Sequence, residues 1–174
     1  MKEALDNIDN TDSFRAVCYR CYKSQTVCIC PLIQPVANEI GITILQHPKE
    51  RFHPIGTARI AQLNLTQCDL RVVWQGFHAD PDLPGKLPPD AGLLFPGPSA
   101  RDLACVPQQD QPKNLVVLDG TWTTVNSIYR SNPCLHSLPH FFLNPDAPSQ
   151  YKIRKEPKAD YRSTVEAIWQ ALRI

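Results

Sequence analysis

The sequence predicts an α/β domain built on a mainly parallel sheet, and three observations carry that expectation. Short β-branched or continuous apolar runs recur, amphipathic segments separate them, and the two kinds alternate over most of the chain. A length of 174 residues suits one domain with a sizeable core. A composition of 43% hydrophobic and 20% charged residues excludes a disordered chain, and no apolar run approaches the roughly 20 residues of a membrane span.

Taken in order, residues 1–13 are polar and turn-rich and are expected to form a flexible tail. Residues 14–35 make a cysteine-rich module with little periodicity, and residues 36–174 hold the α/β domain. Its first strand is Ile42–Gln46. A helix is expected over Ile55–Cys68 from the apolar set Ile55, Ala58, Ile60, Ala61, Leu63 and Leu65. Strands follow at Leu70–Trp74, Ala91–Phe95 and Leu115–Leu118; the last is a continuous apolar run of the kind buried on both faces of a parallel sheet. Thr121–Arg130 reads as a helix and His140–Leu143 as a strand. A final helix begins at Ser163, where Ser163 and Glu166 have capping-box spacing.

Proline-rich loops at 78–90, 95–102 and 143–157 join these elements. Ligands of open α/β sheets bind beyond the carboxyl ends of the strands. The loops after Phe95, Leu118 and Leu143 all leave such ends, so one pocket is expected from the three.

The net charge of +1 gives no global reason to bind nucleic acid, so any such surface must be local. The clearest basic excess is at 151–162, where Lys152, Arg154, Lys155, Lys158 and Arg162 outnumber Glu156 and Asp160. An ordinary solvated loop has the same composition. The acidic N-terminus lacks signal-peptide features, and a cytoplasmic location is expected.

In that reducing compartment the seven cysteines are not expected to form a disulfide framework. Cys18, Cys21, Cys28 and Cys30 read C-x2-C-x6-C-x-C, and four thiolates that close suit a tetrahedral structural Zn²⁺. An iron–sulfur cluster uses the same ligands. Arg15, Tyr19, Arg20, Tyr22 and Lys23 flank the cluster, either to meet bases and phosphates or to cover a very small core. Cys68, Cys105 and Cys134 are scattered and read as small hydrophobes in the core or under loops.

Asp119, Gly120, Thr121 and Trp122 follow the strongest strand. A carboxylate there can face a ligand, glycine permits a sharp turn, and the next helix offers its N-terminus. The plainer alternative is that Asp119 caps that helix.

The D-x-T-W pattern of Asp119–Trp122 resembles the motif of the DTW-domain family of tRNA-uridine aminocarboxypropyltransferases. Further segments match in order: the cysteine opening, Gln46–Glu50 with Thr57–Arg59, Leu94–Ala100, and Tyr151–Lys155 before Ser163–Ala167. The chain ends at Ile174, where family members commonly continue with helical sequence.

The resemblance implies a fold related to SPOUT-type methyltransferases, with a C-terminal trefoil knot around the cofactor. It also implies transfer of the 3-amino-3-carboxypropyl group of S-adenosylmethionine to N3 of a tRNA uridine, releasing 5′-methylthioadenosine. Residues 36–174 then become the cofactor-binding and catalytic domain, with Asp119 as general base. Cofactor contacts are expected from Leu94, Pro96, Gly97, Ser99, Leu118, Gly120, Thr121, Trp122, Tyr151, Arg154, Ser163 and Thr164. Arg51, Arg59, Lys152, Lys155 and Lys158 are expected to meet tRNA. Arg59 and Glu50 either line the pocket or form a surface ion pair. The alternatives are a methyltransferase using the same donor and a non-catalytic zinc-ribbon RNA-binding module. The oligomeric state is not set by the sequence.

Overall fold

In the computed structural model, which describes residues 16–73, 80–144 and 162–174, the apolar runs become six parallel strands. They are β1 (Gly41–Gln46), β2 (Cys68–Val72), β3 (Ala91–Leu94), β4 (Arg101–Asp102), β5 (Asn114–Asp119) and β6 (His140–Phe142). Their order across the sheet is β2-β1-β5-β3-β6-β4. The helices are α1 (Ala58–Asn64), α2 (Leu83–Lys86), α3 (Trp122–Ser131) and α4 (Thr164–Ala171).

Side chains alternate across a strand, and here both faces are covered. Ile42 and Ile44 of β1 and Leu115 and Val117 of β5 pack with Ala58 and Ala61 of α1 and Ile168 and Ala171 of α4. On the other face Leu45, Val116 and Leu118 meet Leu93, Leu83 of α2, and Val125 and Ile128 of α3. Burial on both sides explains why Leu115–Leu118 is apolar at every position. Each such side chain contributes about 1.5–3 kcal/mol, so the core can form without help from a metal.

Several elements differ from the expectation. The first helix stops at Asn64, not Cys68, because Leu65 is already extended (φ −79°, ψ 136°) and Cys68 opens β2. The Asn64 amide donates back to Ile60 O at 2.8 Å, and Asn38 Oδ1 accepts from Gln67 N at 3.0 Å, which turns the chain into the strand. Two short elements lay hidden in loops: α2 within 78–90, and β4, two residues long, whose pairing with β6 sets it. The Leu70–Trp74 strand runs instead over Cys68–Val72, and Trp74 lies outside the described residues. The capping box at Ser163 and Glu166 is present. Residues 145–161 also fall outside, and the expected knot depends on that connection. Among the described residues no helix is long and apolar enough to cross a membrane.

Candidate functional site

Register places Gln46 of β1 beside Asp119 of β5, both at the carboxyl edge of the sheet. Asp119 is 6% exposed, and each carboxylate oxygen has a donor: Gln46 Nε2 reaches Oδ2 at 2.9 Å, and Thr164 Oγ1 reaches Oδ1 at 2.5 Å. A carboxylate has about four lone-pair sites, so capacity for a further proton remains. The backbone N–H of His47 donates to Asp119 O at 2.9 Å, carrying the β1–β5 pairing one residue beyond the strand.

Asp119 does not cap α3. That role belongs to Thr121, whose Oγ1 accepts from Thr124 N at 3.3 Å. Gly120 is required by space, since a Cβ there would lie 2.4 Å from Thr124 Oγ1 and 3.4 Å from His47 Cβ. The carboxylate is thereby left to the sheet edge and to α4. The start of α4 is fixed a second time by Val165 N, which donates to the buried Thr57 Oγ1 at 3.3 Å.

A row of rings borders the edge. Trp122, half-exposed, stacks on buried Phe95 with centroids 5.9 Å apart, and Phe95 stacks on Tyr129 at 4.5 Å. Pro96, Gly97 and Ser99 are exposed on the turn after Phe95, which Ala100 N closes by donating to Gly97 O. The loops after β3 and β5 therefore converge. Tyr151, Lys152, Arg154, Lys155 and Lys158 lie outside the described residues, as does most of the third loop. Ser163 and Thr164, expected at the cofactor, are occupied by the α4 cap and by Asp119.

The four cysteine sulfurs of the first module lie within 4.8 Å of one another, with Cys18–Cys30 at 3.6 Å and Cys21–Cys28 at 3.8 Å. A tetrahedral Zn²⁺ with bonds of about 2.3 Å needs sulfurs about 3.8 Å apart, so the donor set fits it. Backbone N–H groups of Cys21 and Arg20 draw the Cys18 thiol down to about 6, the character of a metal ligand. Desolvation, with Cys18 alongside, pushes Cys30 up to about 12: sulfurs this close do not all ionise without a cation between them. Of the remaining cysteines, Cys68 and Cys134 pack against the core as expected, whereas Cys105 is exposed.

Lys23 joins this module to the segment between β1 and α1. It is 8% exposed, and its Nζ donates to Pro54 O at 2.5 Å and to Gly56 O at 3.0 Å. Burial pushes its pKa down, and the neighbouring Cys21 pulls it back up. It is thus a structural clasp, not a phosphate contact. Arg59 does not pair with buried Glu50; its guanidinium lies over Tyr22 at 4.3 Å and donates to Gln62. Arg51 is exposed over Phe52.

Sequence reasoning passed over Gln46 and His47 as site residues. Both are 3% exposed, and buried polar side chains need partners, but that burial is visible only in the fold. Burial lowers the pKa of His47, against the opposite pull of Glu50. A groove of about 1380 Å³ lies elsewhere, at the amino ends of β1 and β5 along α1 and α4, lined by Ile40, Lys113 and Leu172. It shares no residue with the Asp119 cluster.

Comparison with known proteins agrees with the pattern. The model of the DTW domain matches residues 15–174. A Drosophila melanogaster protein named tRNA-uridine aminocarboxypropyltransferase 2 is 35% identical over 92% of this chain and 66% of its own length. Proteins of the same name from Macaca fascicularis and Mus musculus are 29% and 28% identical over 92% of the chain and 56% of theirs. The chain thus spans less than two thirds of the length of these curated relatives. No solved structure matches. With the domain match running from the cysteine module through α4, the chain belongs to the DTW domain family.

Proposed function

We propose that the chain transfers the 3-amino-3-carboxypropyl group of S-adenosylmethionine to N3 of a uridine in tRNA, releasing 5′-methylthioadenosine. The relatives' names support the reaction, and the observation that carries it is the carboxylate of the D-x-T-W segment. Asp119 is buried, held at both oxygens and set at the carboxyl edge of the sheet where the loops after β3 and β5 meet. Uridine N3 must lose its proton to act as a nucleophile. Asp119 takes it, while Gln46 and Thr164 keep the carboxylate in one orientation. N3 then bonds to the γ-carbon of the donor's amino acid arm as the carbon–sulfur bond breaks. The electron pair passes to sulfur, leaving a neutral thioether.

The donor's sulfonium already supplies a good leaving group, so the protein's task is alignment. In this reading Leu94, Leu118, the 96–100 turn and the 120–122 backbone grip the donor, together with Tyr151 and Arg154. The knotted C-terminal connection belongs to the same proposal. Residues 14–35 act as a module in which Cys18, Cys21, Cys28 and Cys30 hold a structural Zn²⁺, attached to the catalytic unit of residues 36–174. The reaction is assigned to the cytoplasm.

The test is to incubate the purified chain with unmodified tRNA and S-adenosylmethionine and identify both products by mass. A uridine carrying the aminocarboxypropyl group, with 5′-methylthioadenosine, is expected. S-adenosylhomocysteine with a methylated nucleoside would make the chain a methyltransferase, and RNA binding without donor turnover would leave a binding module.

A further inference from the structure

The proposed chemistry leaves unused a surface row of four side chains, two rings in contact with a guanidinium at each end. Arg51 Cζ lies 5.0 Å from the centroid of the Phe52 ring. Phe52 meets Tyr22 edge-on at 5.2 Å, and Arg59 Cζ lies 4.3 Å over the other ring. The row joins two distant stretches of chain, the cysteine module and residues 51–59, which run from the segment after β1 into α1. Phe52 is 62% exposed, so packing against the core does not account for it.

Local charge points to the ligand. Between residues 16 and 68 the acids are Glu39 and Glu50, and Glu50 is 9% exposed; the bases are Arg20, Lys23, Lys49, Arg51 and Arg59. The chain-wide charge of +1 hides this excess. A tetrathiolate zinc centre adds negative charge, but its sulfurs converge on one another while Arg20, Lys49 and Arg51 are exposed. An exposed ring beside a guanidinium, backed by a second ring and guanidinium, suits unpaired nucleotides, whose bases stack and whose phosphates need cations.

Position supplies the third part. The segment carrying Arg51 and Phe52 starts at His47, whose N–H donates to Asp119 O. It ends at Thr57, whose hydroxyl holds the start of α4 beside Thr164. Lys23 pins its middle at Pro54 and Gly56. The row is therefore mounted on a segment fixed to the candidate site at both ends.

We propose that Phe52, framed by Arg51, Tyr22 and Arg59, is a stacking platform for unpaired nucleotides of the RNA substrate, next to the base presented to Asp119. This rests on reading the chain as an RNA-modifying transferase. The platform holds nucleotides flanking the target, and the fixed segment sets their distance from the carboxylate.

The test uses the whole zinc-loaded chain, a fluorescein-labelled RNA stem-loop and a blunt RNA duplex of equal length, read by anisotropy over a salt series. Phe52→Ala is expected to bind the stem-loop roughly 5- to 100-fold more weakly, the loss of one stacked base, with the duplex affinity and salt slope unchanged. Phe52→Tyr restores loop binding. Arg51→Ala lowers the salt slope by about one. The melting temperature and S-adenosylmethionine affinity of Phe52→Ala stay at wild-type values. Wild-type stem-loop affinity in Phe52→Ala, an equal loss on loop and duplex, or no stem-loop binding by the wild type would each overturn the platform. A wild type that binds loops through Phe52 but transfers nothing would overturn the proposed function and leave the platform standing. Transfer with Phe52 dispensable for binding would do the reverse.

Discussion

Thr164 Oγ1 donates to Asp119 Oδ1 at 2.5 Å, tying the first residue of α4 to the last of β5 across 45 residues of sequence. A hydrogen bond to a charged group contributes about 1.5–3 kcal/mol. Thr164→Val keeps the shape and removes the donor, so a loss of about that size is expected by urea denaturation. Hydrogen exchange should speed up first at residues 164–167. Unchanged stability and exchange would show that the contact does not hold α4.

Asp119→Asn separates chemistry from architecture. The amide oxygen can still accept from Gln46 Nε2, and the amide NH₂ can donate to Thr164 Oγ1 once that hydroxyl rotates. Folding should therefore change by no more than about 1 kcal/mol. A general base is lost, and single-turnover transfer should fall by about 10²- to 10⁴-fold while donor binding persists. A fully active variant would remove Asp119 from the proton transfer.

About one zinc per chain is expected by elemental analysis of protein purified without chelator. Replacing Cys18 or Cys30 by serine should release it and lower the melting temperature. Iron in its place, or four freely titrating thiols with no metal, would refute the zinc assignment.

Gly120→Ala should destabilise the fold by about 1–3 kcal/mol, because its Cβ meets Thr124 Oγ1 at 2.4 Å. Adding Thr124→Ala removes that atom. The double variant should recover part of the loss, and purely additive effects in a double-mutant cycle would show that the clash is not the cause.

Burial holds the pKa of His47 below its ordinary 6.5, and its Nδ1 accepts from Lys49 N in the neutral form. As pH falls through 6.5 the unfolded chain gains a proton that the folded chain resists, so stability drops over that window; above it both forms are neutral and the contribution is flat. Urea melts at pH 5 to 8 should show this slope in the wild type and a smaller one in His47→Gln. Equal slopes would assign the titration to another group.

The sheet was legible because parallel strands buried on both faces leave continuous apolar text, as at Leu115–Leu118, and because Ser163 and Glu166 announce the start of α4 locally. The end of α1 was not, since Asn38, 26 residues before Asn64, helps to turn the chain, and β4 has only two residues to declare itself. At the site, Asp119 stood out from its place after a strand, and the cysteine spacing announced the cluster whose sulfurs lie within 4.8 Å of one another. Gln46, His47 and Thr164 acquire their roles from neighbours 73, 72 and 45 residues away, and single-sequence periodicity carries no such distances.

The clasp made by Lys23 matters to anyone wishing to trim or transplant this domain. A fragment starting at residue 36 would discard the donor that satisfies Pro54 O and Gly56 O, along with the ring beneath Arg59. Two carbonyls left without a partner would loosen the turn that delivers Thr57 to α4. The smallest transferable unit therefore begins upstream of the cysteines, although composition draws its boundary behind them.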